Sequence, residues 1–466
     1  MNRKRQAFQN FGIVLGIYSL FALSCGIVFA QTPSTGGGGS TTPTVLQYGG
    51  SVVGGVEINA EGVLRTAPKA SLDNLGKALA RLLEPVPDDL AQEATIRKIS
   101  LKSLNHEMEK VVKSGQNGGS FSDSLHYLGG LTSLHYIVVV PEENDVLLVG
   151  SAEGWKIDGR GNVVGKVSQK PVMRLEDLVT LYRMIVRPER PSVISCSIDP
   201  TPEAMARVAA VKRTFDVVNQ RNVNAYANAL QEAYGMNVVT FRGVPENSRI
   251  AKILVAADYK MKRIGLDQEP SGLRSLPSYV SMLPRSSKHD TPRFWLAPEY
   301  STVTYDSKKL IWKLGTVKVN ALTEDEYIDT RNGARSSSGR TDATAVAWCK
   351  KMNDNYNELA KIDPVFAELK NVMELAMAVA LIRSENLLDK AKCKLSLFDD
   401  DITMKMPSYP VPKYVQSEST MTRTVVACGG VEINPFTPLE KSTLDNKIDA
   451  EREKVAKWNS ETWWSH

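Results

Sequence analysis

Residues 134–152 read LHYIVVVPEENDVLLVGSA, and this stretch decides the fold class more firmly than any other. Two runs rich in Val, Leu and Ile flank Pro141 and the polar residues 142–145, three of which are acidic. β-Branched residues favour strands, whereas Pro, Asn and Asp favour turns. We therefore predict a β-hairpin here, extended by a further strand at 155–157.

Helical and strand-like segments alternate on both sides of this hairpin. Ile250, Ile253 and Leu254 begin an apolar helical repeat that Ser248 caps and Gly265 ends. The predicted helices are 72–83, 99–113, 175–185, more than one within 202–234, 248–265 and two long ones after 342. The predicted strands lie within 52–64, 192–198, 237–241 and 294–319. The strand, helix, strand order over 192–241 predicts a crossover unit, in which the two strands are parallel.

These elements predict an α+β fold, with a mixed sheet body, crossover helices and a late inserted helical hairpin. The predicted segments are a signal peptide at 1–30, a disordered Gly/Ser/Thr/Pro tether at 31–50, an α+β body at 51–330, a flexible loop at 331–342, a helical hairpin at 343–398, a return to the body at 399–436, and a charged C-terminal helix with a Trp-rich tail at 437–466.

Residues 1–30 have the layout of a secretory signal. Basic residues at 3–5 precede an apolar stretch, and small residues end at Ala30. Such a basic start, apolar core and small-residue exit define a signal peptide, so we expect cleavage after Ala30 and export to the periplasm, the cell envelope or the medium. Two alternatives stay open: 11–30 is long enough to be an uncleaved membrane anchor, and Cys25 stands where a lipidated cysteine would lie.

The composition is that of a folded protein. Hydrophobic residues make up 42% and charged residues 23% of the chain, close to the average for soluble globular domains. The net charge of +5 falls to +2 without the three basic residues of 1–30, which leaves 54 basic against 52 acidic residues. We expect no nucleic-acid partner, because there is no basic excess to attract one, and membrane contact only through the signal segment.

Four cysteines remain after the signal segment: Cys196, Cys349, Cys393 and Cys428. An even number in an oxidising compartment permits two disulfides. We predict Cys349–Cys393, because both flank a predicted helical hairpin, and Cys196–Cys428 between two strands. Four unpaired, buried thiols are the alternative.

One repeat is identical over six residues, because GGVEIN occurs at 54–59 and again at 429–434. One interpretation is two strands in equivalent sheet positions, with glycines where another backbone packs closely. The other is a pair of related edges that frame a ligand or partner.

The turn at 196–203 is the first candidate site, because a strand ends and a helix begins there. Backbone N–H groups and the helix dipole converge near Ser197, Asp199 and Thr201, which favours anions. A helix N-terminus also lowers the pKa of a thiol, which would make Cys196 nucleophilic. An ordinary helix start beside a buried cysteine is the alternative.

Basic residues Lys260, Lys262 and Arg263 form a second candidate, for a phosphate or an acidic polysaccharide. Their helical setting offers another explanation, since basic residues in a last turn complement the helix dipole and Asp258 can pair with Lys262.

Other patterns lack necessary parts. His106-Glu107 has no second histidine for zinc, and the acidic run 399–401 lacks the ligand spacing of a calcium loop. We therefore expect no metal and no cofactor. Trp463 and Trp464 fit either an exposed contact surface or packing onto the protein's own body.

Six stretches carry a family resemblance: GGVEIN at 54–59, AEGWKID at 152–158, ISCSIDPT at 194–201, VAADYKMKR at 255–263, RFWLAP at 293–298 and CGGV at 428–431. Together they resemble a secreted planctomycete protein family of unknown function, domain of unknown function 1598. The resemblance implies an exported protein of that bacterial lineage, and it brings no activity, cofactor or catalytic residue.

A catalytic site needs a nucleophile, a base and an orienting group in a recognisable context, and no motif supplies all three. We therefore expect an exported envelope or extracellular protein that is a non-catalytic binding or structural component, with an unknown ligand or envelope partner. The alternative is an extracytoplasmic hydrolase with a site assembled around the turn at 196–203.

Overall fold

A computed structural model describes residues 52–114, 121–187, 193–215, 217, 221–284, 292–328, 335–337, 342–417, 419–420, 425–426, 428–458 and 461–466. The predicted signal segment, the tether, most of the loop 331–342 and the side chain of Cys428 lie outside this described part.

The strands form one ten-stranded sheet, one seven-stranded sheet and two small two-stranded sheets. Their bounds are β1 (Val52–Val53), β2 (Val56–Ile58), β3 (Val63–Thr66), β4 (Ala94–Ser100), β5 (Tyr136–Val140), β6 (Asp145–Ala152), β7 (Trp155–Ile157), β8 (Val163–Gly165), β9 (Ile194–Asp199), β10 (Met236–Arg242), β11 (Pro292–Tyr300), β12 (Thr304–Tyr305), β13 (Ile311–Lys313), β14 (Val317–Ile328), β15 (Arg335–Ser337), β16 (Tyr414–Gln416), β17 (Ser419–Thr420), β18 (Val425–Val426), β19 (Cys428–Ile433), β20 (Thr443–Leu444) and β21 (Trp464–Ser465).

The helices are α1 (Lys69–Leu82), α2 (Asp88–Ala91), α3 (Leu101–Ser114), α4 (Asp123–His126), α5 (Leu175–Val186), α6 (Pro202–Thr214), α7 (Val223–Tyr234), α8 (Arg249–Gly265), α9 (Tyr279–Met282), α10 (Ala343–Ile362), α11 (Pro364–Ser384), α12 (Leu387–Ala391), α13 (Ser396–Asp399) and α14 (Lys447–Ala456). Helices and mixed sheets together confirm the α+β class. Within the described ranges, no helix has both the length and the apolar character that a membrane span requires.

The ten-stranded sheet has the order β1-β2-β3-β16-β10-β9-β19-β11-β14-β15. Its β3–β16 and β11–β19 pairs are parallel and its other pairs are antiparallel, so the sheet is mixed, as predicted. The parallel pairs join strands from distant parts of the chain. The centre of this sheet is therefore built from non-local contacts.

The predicted crossover unit at 192–241 is wrong in one respect: β9 and β10 are neighbours, but they run antiparallel. Two helices, α6 and α7, connect them and pack against each other. Because each helix reverses the chain direction, a pair of helices returns the chain antiparallel to the strand that it left. A single helix would have produced the parallel arrangement.

The seven-stranded sheet, with the order β20-β12-β13-β5-β6-β4-β21, contains the predicted hairpin as β5 and β6. β4 is not among the predicted strands, and its last two residues fall in the predicted helix 99–113. β21 pairs with β4 through Trp464 and Ile99, and Trp463 is only 7% exposed. The tail thus packs onto the protein's own body, and the contact-surface interpretation of the two tryptophans is wrong.

Two buried helices lie at the centre of the core. α8 packs against β9 and β19 on one side and against α11 on another, and α11 also contacts α5 and α10. α11 has no polar face, because apolar side chains occur all around it. A helix of this kind is stable only when other elements cover every side.

Neither predicted disulfide occurs, since Cys196, Cys349 and Cys393 are free and buried. Cys349 lies in α10 beside β14, whereas Cys393 follows α12 beside β6 of the other sheet. Cys196 lies opposite Val431, which places Cys428 three residues further along β19. That offset is about 10 Å, beyond the ~7 Å between Cα atoms that a disulfide tolerates. The unpaired-thiol alternative is correct for the three described thiols.

The two copies of the repeat are not equivalent. Four strands separate β2 from β19, so the copies neither pair nor frame one site. The predicted close backbone is found at the glycines of the second copy, whereas the close neighbour of Gly54 in the first copy is a side chain. A Cβ atom on Gly54 would lie 2.5 Å from Val365 Cγ2, and one on Gly430 would lie 1.8 Å from the backbone oxygen of Cys196.

Gly430→Ala tests this packing, because the added methyl group would force β9 and β19 apart. We expect the free energy of unfolding, measured with urea, to fall by at least about 3 kcal/mol. Gly159→Ala is the control, since its Cβ would meet nothing within 4 Å, and its effect should stay within about 0.5 kcal/mol. Equal stabilities of the two variants would contradict the β9–β19 register.

Candidate functional site

The predicted turn at 196–203 does not gather its polar side chains into one site. Burial alternates along β9, so Cys196 faces the core while Ser197 lies on the other face. Ser197 Oγ is 2.7 Å from Thr240 Oγ1 on β10. Thr201 caps α6 by accepting a hydrogen bond of 3.1 Å from a backbone N–H of its first turn. The turn is thus a capped helix start.

The thiol of Cys196 is unsuited to nucleophilic attack. It is 2% exposed, and burial raises its pKa well above the ordinary value. The carboxylate of Asp258 raises this pKa further, Lys262 opposes it, and Asp199 adds a smaller increase. A nucleophilic cysteine must be a thiolate, so the geometry does not favour a hydrolase centred on Cys196.

Lys262 of the second candidate site forms an ion pair with Asp258 inside the protein, as the alternative explanation predicted. Lys262 Nζ is 2.7 Å from Asp258 Oδ2 and donates a second hydrogen bond of 3.1 Å to the carbonyl oxygen of Gly429. Burial raises the pKa of Asp258 to about 6, although Lys262 lowers it. The pair therefore connects α8 to β19.

The other two basic residues also have partners within the protein. Lys260 is 5% exposed and binds the carboxylate of Asp363, the N-cap of α11. Arg263 Nε is 3.3 Å from Glu269 Oε2. Because these cations are already paired with carboxylates, the geometry favours their role in the fold over a phosphate site.

A buried ionic cluster that the sequence analysis missed joins three helices. Arg249, the first residue of α8, donates to Asp177 Oδ2 on α5 at 2.5 Å and to Glu368 Oε1 on α11. The three side chains are 5%, 6% and 4% exposed, respectively. Burial raises the pKa of Asp177 to about 6, although the guanidinium of Arg249 lowers it.

An outer layer covers this cluster. Arg174 Nη1 is 3.6 Å from Glu176 Oε1, and its guanidinium lies 5.7 Å from the centre of the Tyr127 ring. The hydroxyl of Tyr409 donates to Glu176 Oε2 at 2.8 Å. We call the whole group the Arg249 cleft: Tyr127, Arg174, Glu176, Asp177, Arg249, Glu368 and Tyr409.

Two cavities of about 30 and 40 Å³ lie in the Arg249 cleft, and both have Tyr127, Arg174 and Tyr409 in their walls. A water molecule needs roughly 10–15 Å³ of such volume, so each cavity has room for a few waters. The smaller cavity borders His126, and the larger one lies under Leu79 of α1.

His126, the last residue of α4, lines the smaller cavity. Burial lowers its pKa to about 4, and the cation of Arg174 lowers it further, against an opposing effect of Glu84. Glu84 and Asp123 hold this region together, because the backbone N–H of each donates to the carboxylate of the other, at 2.7 and 3.0 Å. The imidazole is therefore neutral at physiological pH.

A third and larger space, of about 620 Å³, is an open groove between β14 and α10, which we call the β14–α10 groove. Its walls include Leu322 and Val346, which are 38% and 46% exposed. Asn353 of α10 forms two hydrogen bonds with the backbone of Ala321, at 2.6 and 3.2 Å, and so covers part of the edge of β14. The polar residues that line the groove include Glu299, Lys318, Asn320, Thr323, Lys350, Asp354, Asn357 and Lys370.

Residues 196–279 match the family described as Protein of unknown function (DUF1598). The matched range runs from β9 to the start of α9, so it includes Arg249 and Asp258 but neither Asp177 nor Glu368. No curated protein and no solved structure matches this chain. The resemblance to a domain of unknown function is thus confirmed over this range, and the family's description names no activity.

Arg249→Met tests the ionic cluster, because it would leave the carboxylates of Asp177 and Glu368 buried without their cation. We expect a loss of about 3–5 kcal/mol in the free energy of unfolding at pH 7, measured with urea. Arg65→Met is the control: Arg65 pairs with Glu57 at 2.6 Å but is 66% exposed, so its loss should cost less than about 1 kcal/mol. Similar costs for both variants would refute the central role of Arg249.

His126 predicts a dependence of stability on pH. In the folded protein its pKa of about 4 lies below the ordinary value of 6.5. The contribution of His126 to the free energy of unfolding is therefore complete above pH 6.5 and is lost as the pH falls through about 4. Relative to His126→Gln, the wild type should lose about 3 kcal/mol of unfolding free energy between pH 7 and pH 4. The exposed His106→Gln should follow the wild type; a constant difference between wild type and His126→Gln would contradict this prediction.

Proposed function

We propose that the protein is exported and acts as a non-catalytic binding component of the cell envelope or the extracellular space, with its ligand in the β14–α10 groove. The groove carries the proposal, because its volume of about 620 Å³ lies in the range of about 300–1,000 Å³ that is typical of ligand sites.

The walls of the groove favour an elongated ligand with mixed chemistry. Leu322 and Val346 expose apolar surface, which is characteristic of interaction sites when polar residues surround it. Lys318 and Asn357 line the same groove and offer hydrogen-bonding groups to a ligand. An extended peptide segment presents both apolar side chains and backbone polar groups, so we propose a peptide as the ligand class.

Export rests on the N-terminal sequence, where Arg3, Lys4 and Arg5 precede an apolar stretch that ends in small residues at Ala30. The resemblance to a secreted planctomycete family supports the same proposal.

The test is the mass of the protein recovered from its native cell envelope. Denaturing mass spectrometry should give a chain that starts at Gln31, and native mass spectrometry should show an additional bound mass. Val346→Arg places a charged, longer side chain in the groove, so this variant should lose the bound mass.

Ile402→Arg is the matched control, because Ile402 is 82% exposed and lies outside the groove. It should retain the bound mass. A bound mass that persists in Val346→Arg, or that is missing from the wild type, would exclude the groove as the binding site. A retained segment 1–30 would replace cleavage after Ala30 with a membrane anchor.

A further inference from the structure

One edge of the ten-stranded sheet has no strand partner over most of its length. β14 pairs with β11 along residues 317–325, but it pairs with β15 only along residues 326–328. β15 is the last strand of the sheet on that side. Within the described part of the chain, the outer side of β14 thus lacks a neighbouring strand over the nine residues 317–325, a length of about 30 Å.

The contacts of Ala321 show which backbone groups of β14 point outwards. Its N–H donates to Oδ1 of Asn353 at 2.6 Å, and its carbonyl oxygen accepts a hydrogen bond of 3.2 Å from Nδ2 of Asn353. In an antiparallel pair, successive residues direct their N–H and C=O groups to opposite sides of the strand. Val319 and Thr323 therefore direct theirs outwards as well, and no other described residue bonds to these groups.

The carboxamide of Asn353 already occupies one position of this edge as a peptide group would. It offers one C=O and one N–H to Ala321, the two kinds of group that a neighbouring strand would present. Val346 and Asn357 lie on either side of Asn353 along α10 and line the same groove. The groove therefore has an open strand edge as one wall and a helix as the other.

An open edge of this kind can bind an extended peptide by strand addition, in which main-chain hydrogen bonds provide the affinity. Apolar surface lies beside the open backbone groups, because Leu322 and Val346 are 38% and 46% exposed. An added strand would satisfy the backbone groups and would place its alternate side chains against this apolar surface. Both features of the groove thus fit one ligand, an extended peptide.

We propose that the β14–α10 groove binds its peptide as an added strand on β14, with main-chain hydrogen bonds to Val319 and Thr323, and that Asn353 competes for the central position at Ala321. This inference rests on the function proposed above and adds the binding mode. Asn353 must leave Ala321 before the peptide can complete its pairing, so its two hydrogen bonds lower the affinity and protect the edge when no ligand is bound.

A second copy of the chain is a less suitable occupant of the edge. Its own α10 would accompany its β14 and would have to fit beside the first α10. A free peptide has only to enter the space between the two walls.

The probe is a nine-residue peptide of alternating threonine and valine, with a glutamate at each end for solubility and a fluorescent label at its N-terminus. Fluorescence anisotropy should show saturable binding to the full chain. The same peptide with N-methylated backbone nitrogens has no N–H donors, so it should bind at least about tenfold more weakly. Asn353→Ala removes the competing amide, so this variant should bind the unmethylated peptide about three- to tenfold more tightly than the wild type.

Thr323→Pro tests the edge itself, because it removes one outward N–H and leaves the N–H groups that pair with β11 in place. Proline is tolerated on an edge strand where the N–H faces outwards. This variant should bind the peptide about three- to tenfold more weakly. Thr323→Val is the matched control, since it keeps the N–H, and it should bind like the wild type. The methylated peptide is tested on the unaltered protein, so its result stands even when Thr323→Pro does not fold.

Equal affinities for the methylated and unmethylated peptides, or for Thr323→Pro and Thr323→Val, would overturn strand addition. Absence of binding in both the wild type and Asn353→Ala would overturn it too. Dimerisation of Asn353→Ala in sedimentation, without peptide binding, would assign the edge to a second copy.

Failure of the binding mode and failure of the proposed function give different results with the natural ligand. A native bound mass that persists in Val346→Arg excludes the groove itself. A bound mass that is lost in Val346→Arg but is retained in Thr323→Pro leaves the groove as the binding site and excludes strand addition.

Discussion

The position of Arg249 constrains the whole interior. Its guanidinium contacts carboxylates that lie 72 residues before it and 119 residues after it in sequence, on α5 and α11. Removing an arginine from water is unfavourable unless carboxylates surround it. These helices can therefore meet α8 only in the arrangement that brings Asp177 and Glu368 to the start of that helix. Buried charge here selects one packing arrangement out of many that apolar surfaces alone would allow.

The same principle extends along α8. Lys260 binds the N-cap of α11, and Lys262 binds both Asp258 and the carbonyl oxygen of Gly429 on β19. α8 is thus attached by charged side chains to the helices on one side and to the sheet on the other. Because Gly430 lets β9 and β19 lie close together, the sheet beneath α8 has little freedom to shift.

The spacing of residues along the chain predicted those elements whose secondary structure is determined by local interactions. The β5–β6 hairpin and α8 follow from residue spacing alone, whereas the direction of β10 depends on how α6 and α7 pack, which no spacing reveals. β4 was missed because Arg97 gives it a polar sequence; in the structure Arg97 is buried and donates to the carbonyl oxygen of Gly129 at 2.5 Å.

For the Arg249 cleft the sequence did contain a signal. Glu368 interrupts a helix that is apolar on every side, and a charge in such a helix must be buried and needs a partner. That this partner is Arg249 depends on the tertiary structure and could not be predicted from the sequence.

Two strands from the C-terminal part of the chain complete the two large sheets, because β19 pairs with β9 and β11 and β21 pairs with β4, and this affects the order in which the protein folds. β19 stands between β9 and β11, and next to β21 the ammonium of Lys98 reaches the carbonyl oxygen of His466 at 3.3 Å, across 368 positions. Non-local pairing slows folding, because a long loop must close before any contact compensates for its entropy. Until residue 433 has left the ribosome, the ten-stranded sheet lacks β19, which joins β9 to β11, and the nascent chain cannot complete its core. Such a delay would favour the export proposed above, because threading through a secretion channel requires an unfolded chain.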